Sequence, residues 1–188
     1  MSEDSISNAA AIARSVKQTF VRHPLRDNRP YPTMIVSRVG EPIAICDLEE
    51  AWRGRSNALR NTVAVLAPDE VVLVVESDPE ATDAIEVFWM TSGGDGARVL
   101  LPYSCVGDTV VWEEPISAIE LEGDIADSLR EGFAGAGTFY EVEEARATLK
   151  SLGVRVRFAA DPNPFVGVEP DDPCPCDSAR KYKDCHGH

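Results

Sequence analysis

The chain has 188 residues, 44% hydrophobic and 27% charged, with a formal net charge of −14. That length fits one compact domain plus a small appendage, and an acidic surface repels phosphate backbones, which argues against general nucleic-acid binding. No apolar run approaches the roughly 20 residues of a membrane-spanning helix, and the acidic start Met1-Ser-Glu-Asp4 lacks the basic character of a signal peptide, so a soluble, cytoplasmic protein is expected.

Residues 4 to 21 place Ile6, Ala9, Ala10, Ala13, Val16 and Phe20 at helical spacing, which predicts an amphipathic helix packed on a sheet. Pro24, Pro30 and Pro32 end it. Residues 33–38 and 42–46 flank Val39-Gly40-Glu41 and read as a hairpin. Asp47 to Glu50 has the spacing of a capping box, predicting a second helix that carries Trp52, Leu59, Val63 and Leu66, interrupted near Gly54. Glu70-Val-Val-Leu-Val-Val-Glu76 is β-branched and continuously apolar, the pattern of a central strand buried on both faces. A meander follows. Strands at 84–91 and 97–103 are joined by the glycine-rich turn Ser92 to Gly96, and a third spans 109–112. Helices are predicted at about 123–132 and 140–152, then a strand at 154–158, with Gly153 just past the helix end. Strands and helices segregate more than they alternate, which gives an α+β class with a mostly antiparallel sheet and flanking helices. This acidic body occupies residues 1–159. The Pro-, Asp- and Gly-rich stretch 160–172 reads as a linker, and residues 173–188 as a separate metal-binding knuckle.

Catalytic material in the body is sparse. Of three histidines only His23 lies outside the tail, and its place beside Pro24 suits a capping or surface role better than that of a general base. Cys46 and Cys105 stand in apolar, strand-like surroundings and read as core residues. Glu76 and Asp78 close the predicted central strand, with Glu80 and Asp83 nearby. An enzyme built on those carboxylates is the alternative reading of the body, although acidic loops on an acidic protein are usually only solvated. The tryptophans Trp52, Trp89 and Trp112 read as core.

The tail is the most specific segment. Cys174, Cys176, Cys185 and His186 follow the pattern Cys, one residue, Cys, eight residues, Cys-His. Three thiolates and an imidazole form the tetrahedral set of structural zinc, and four protein ligands leave no open position for a catalytic water. The segment is too short to bury a core of its own, so a metal contributing about 10 to 16 kcal/mol would fold it. The same thiolates also suit iron. A disulfide with a spare thiol is the competing reading, but Cys174 and Cys176 are too close for easy pairing with each other.

The run Asp172-Pro-Cys174-Pro-Cys176, then Lys181-Tyr-Lys183, then Cys185-His186-Gly187 resembles the SEC-C motif, the zinc-binding tail of the bacterial preprotein translocase ATPase, which also occurs on many small bacterial proteins. The resemblance covers residues 171 to 188 alone, and no family is recognised for the body. It implies Cys174, Cys176, Cys185 and His186 as ligands of one zinc ion. It further implies that Arg180, Lys181, Tyr182 and Lys183 present a basic, aromatic face to a protein partner, by resemblance a chaperone, translocation machinery or the ribosome. The expected function is therefore recruitment, as a protein-interaction adapter. An RNA-binding finger is a further alternative. One departure stands out: Asp177-Ser-Ala179 replaces the Gly-Ser-Gly usual in the family, and if the second glycine has a positive φ, Ala179 costs roughly 1 kcal/mol there.

Overall fold

The computed structural model describes residues 11, 12, 14, 32–77, 84–106, 109–114, 116–137, 141–162, 167–173 and 181–184. Strand β1 (Thr33–Arg38) and β2 (Glu41–Asp47) form the expected hairpin. Helix α1 (Arg55–Leu66) leads to β3 (Glu70–Glu76), β4 (Ala84–Thr91), β5 (Gly96–Val106), β6 (Thr109–Trp112) and β7 (Ile116–Ile119). Helices α2 (Asp124–Gly135) and α3 (Val142–Ser151) then precede β8 (Arg155–Phe158). The protein is α+β.

All strand pairings are antiparallel, in the order β6-β5-β4-β3-β1-β2-β8. Strands β6 and β7 share one edge of β5, with Tyr103 opposite Trp112 and Arg98 opposite Ile119. They amount to one returning strand interrupted before Pro115, a residue with no N–H for a ladder. Strand β7 was not foreseen, because four residues after a proline give little periodicity to read.

Strand β3 is central and buried on both faces, as its apolar run predicts. Val71, Leu73 and Val75 join Met34, Val36, Cys46, Phe88 and Met90 under Leu59, Val63 and Leu66 of α1, Leu129 of α2 and Leu149 of α3. Val72 and Val74 face the other way, with Ile85, Val87, Trp89, Val99, Leu101 and Tyr103. Each such side chain contributes about 1.5 to 3 kcal/mol on burial, so these two layers dominate the stability of the body. Residues 11, 12 and 14 are helical, and Ile12 packs on the second layer. That agrees with an N-terminal helix lying on the sheet; the rest of the predicted 4–21 helix lies outside the described residues.

The local chemistry explains where the helices stop. Arg38 of β1 donates to the carbonyls of Leu66 at 2.7 Å and Ala67 at 3.1 Å, capping the C-terminus of α1. Gly153 has φ +76°; its N–H bonds to Lys150 O, and that of Val154 to Leu149 O, each at 3.0 Å. This is a Schellman closure with its usual apolar contact, since Val154 and Leu149 are both buried.

The start of the second helix requires correction. Asp47 is the last residue of β2, and its Oδ1 accepts the Glu49 N–H at 2.9 Å, turning the chain rather than capping a helix. A short 3₁₀ turn, Trp52–Gly54, follows, and the α-helix begins only at Arg55 with Gly54 as its N-cap. The same Asp47 carboxylate pairs with Arg155 on β8, a tertiary demand that outweighs the local capping pattern. Among the described residues no helix is long and apolar enough to cross a membrane.

Candidate metal centre

Cys174, Cys176, Arg180, Cys185 and His186 lie outside the described residues, but the chain on either side of the loop is placed. Pro173 and Lys181 form an isolated antiparallel bridge. Beside it, Tyr182 N–H donates to Asp172 O at 2.8 Å and Lys183 N–H to Pro170 O at 2.9 Å. Asp172 also closes a small turn: its Oδ2 accepts Glu169 N–H at 3.1 Å and its N–H donates to Glu169 O at 3.0 Å. A 3₁₀ turn, Tyr182–Asp184, ends where Cys185 begins. The backbone just before Cys174 is thus tied to residues 181–183, the end of the eight-residue spacer that leads into Cys185.

The expected basic face has a partner of its own. Lys181 and Lys183 converge on a single oxygen, Asp171 Oδ1, at 2.9 and 2.8 Å. These two bonds, that to Lys181 first, hold the Asp171 carboxyl below the usual carboxylate range. Exposed ion pairs are individually weak, so the consequence is chiefly one of charge: two of the four residues assigned to a partner-binding face share one carboxylate within the tail, which halves their combined charge. Tyr182 is half-buried.

The other singled-out residues are scattered. Glu76 closes β3 opposite Ile85, and it is half-buried. Asp78, Glu80, Asp83 and His23 lie outside the described residues. Cys46 is fully buried and free, and burial first, then the neighbouring Asp47 charge, pushes its thiol up to about 12. That is a core cysteine, as expected, and not a nucleophile at neutral pH. Cys105 sits in β5 opposite Val110. Trp89 is a core residue whose Nε1 donates to Glu70 Oε2 at 2.9 Å. Trp52 and Trp112 pack at the margins of the two layers, the latter edge-on to Tyr103 at 5.7 Å. A cleft between the β4–β5 turn and α2 measures about 150 Å³, below the roughly 300 Å³ typical of small-molecule sites. Its one arginine, Arg130, is held by Leu121 O at 2.7 Å and Asp127 Oδ1 at 2.9 Å. Among the described residues no group of three or more His, Cys, Asp or Glu side chains is arranged to hold a metal.

No characterised protein and no solved structure matches the chain. Residues 172–187 match the family model of the SEC-C motif, which is generally a metal-binding motif; the match is confined to this C-terminal segment.

Proposed function

We propose that the C-terminal segment is a zinc knuckle with Cys174, Cys176, Cys185 and His186 as ligands, and that it recruits a protein partner to the acidic body. The observation that carries the reading is the backbone contact of Pro173 with Lys181 and of Tyr182 N–H with Asp172 O, which draws the chain before Cys174 to the stretch that leads into Cys185. The donor set fits the ion: three thiolates and one imidazole suit zinc, and a closed four-ligand shell supplies folding energy rather than catalysis. The match to the SEC-C motif supports the same assignment. By that resemblance the partner is a chaperone, a component of the translocation machinery or the ribosome.

The charge of the tail favours a protein over RNA. Its described portions carry Glu169, Asp171, Asp172 and Asp184 against Lys181 and Lys183, and both lysines are engaged by Asp171. Elemental analysis of a reduced preparation is expected to return about one zinc per chain, lost in Cys185→Ser. Iron in its place would keep the ligand set and change the metal; absence of any metal would overturn the site. For recruitment, co-purification is compared between the full chain and a chain lacking residues 171–188. Equal recovery of partners by both would sink the adapter reading.

A further inference from the structure

Strand β8 ends the sheet beyond β2, so its outer side would ordinarily present unpaired backbone groups to any strand that approached. Its register identifies those groups. Arg157 is opposite Ile45, and Ala159 N–H donates to Ile43 O at 2.9 Å, so the odd-numbered residues face β2. By alternation, Val156 and Phe158 direct their N–H and C=O groups outward.

Three of those four outward groups, Val156 O and both polar groups of Phe158, already have partners. Arg146 of α3 donates Nη1 to Val156 O at 3.2 Å. Asp161, three residues past the strand, accepts Phe158 N–H on Oδ2 at 2.8 Å, and its own N–H returns to Phe158 O at 3.0 Å. The two side chains are joined to each other in bidentate fashion, Nη2 to Oδ1 at 2.7 Å and Nη1 to Oδ2 at 3.2 Å. The guanidinium also lies 5.1 Å from the centre of the Phe158 ring. One ion pair therefore occupies acceptor and donor positions that a further strand would need.

We propose that the Arg146–Asp161 pair closes β8 against strand addition, and that the partner it excludes is a second copy of this chain. The outward groups are self-complementary: in an antiparallel β8–β8 pairing, Val156 of each copy meets Phe158 of the other, a closed two-fold arrangement. The two-fold axis passes through Arg157, and that residue adds a second obstacle. The two Arg157 residues form a non-hydrogen-bonded pair with Cα atoms about 4.5 Å apart, so like charges stand directly opposed. Arg157 is exposed and on the face where this repulsion operates.

The test uses the full chain with Asp161→Ala and Arg157→Thr combined, which uncovers Phe158 N–H and removes the repulsion. Analytical ultracentrifugation is expected to show concentration-dependent association to twice the wild-type mass. Hydrogen exchange should slow at the Val156 and Phe158 amides in the associated form. A variant that keeps the wild-type mass with an unchanged near-ultraviolet spectrum overturns the proposal. So does association accompanied by faster exchange through α1 and β3 without protection of β8, the mark of unfolding-driven aggregation. If the double variant does not fold, Arg146→Met combined with Arg157→Thr uncovers Val156 O and removes the repulsion while leaving Asp161 on Phe158, and the same two readouts decide.

Discussion

Gly132 on α2 stands so close to Val63 on α1 that a Cβ added to the glycine would lie 2.7 Å from the Val63 Cβ and 2.8 Å from the carbonyl oxygen of Arg60. The helices meet backbone to side chain at this point. In an exposed helix, glycine to alanine gains up to about 1 kcal/mol through propensity. Here the propensity gain opposes an overlap with a backbone atom that cannot rotate away, and overpacking costs about 1 to 3 kcal/mol. Gly132→Ala should therefore lower the urea midpoint. Adding Val63→Ala should recover little of the loss, because alanine keeps the Cβ that lies 2.7 Å away and the Arg60 carbonyl stays in place.

Val39 holds φ +54° in the two-residue loop between Arg38 and Glu41, followed by Gly40 at φ +78°. Positive φ at both positions is the geometry of a hairpin turn that matches strand twist, but a β-branched residue there is strained. Its side chain is 86% exposed, so little packing offsets the strain. Val39→Asn should raise stability by about 1 kcal/mol, read as a higher thermal midpoint with an unchanged denaturant slope.

The buried thiol of Cys46 gives a stability change on the alkaline side. Its folded value of about 12 lies above the ordinary 9.0, so the folded state keeps a proton that the unfolded chain releases. The stabilisation is complete below pH 9 and drains as pH rises toward 12. The slope from this group alone is at most about 1.4 kcal/mol per pH unit. Cys46→Ala should flatten the alkaline limb relative to wild type, and thiol reagents should label Cys46 only as the body unfolds.

In the tail, the Asp171 carboxyl should titrate below the ordinary range of about 3.9 when followed by NMR. Replacing Lys181 and Lys183 together by alanine should move the midpoint up, since those two bonds hold it down. An unchanged midpoint would show that the lysines are not engaged in solution. In the recruitment reading, Asp171→Asn releases both lysines and should raise the amount of protein partner recovered in the co-purification.

Much of this architecture is legible from local pattern. The unbroken run from Val71 to Val75 marks a strand buried on both faces, Gly153 marks the end of α3, and the glycines after Ser92 mark the β4–β5 turn. The SEC-C resemblance at the tail is also carried by spacing alone. What is hidden depends on residues distant in sequence. Asp47 looks like a helix cap until Arg155 is brought beside it, 108 positions later. Nothing about Asp171 announces that it will gather two lysines ten and twelve residues away, and nothing about Arg146 and Asp161 announces that they flank the same strand edge. Helix and strand periods report the face a side chain occupies, not which strand its backbone joins.

The pairing of β8 with β2 also sets an order of events during synthesis. Strand β2 is made early, yet the neighbour that covers its outer side is the last strand of the body, so the edge of β2 stays open until Phe158 has been added. A chain ended after α3 would keep every other strand pairing and still expose that edge. The C-terminal tail is translated only after this closing strand, so the proposed knuckle becomes available on a body whose sheet can already be complete.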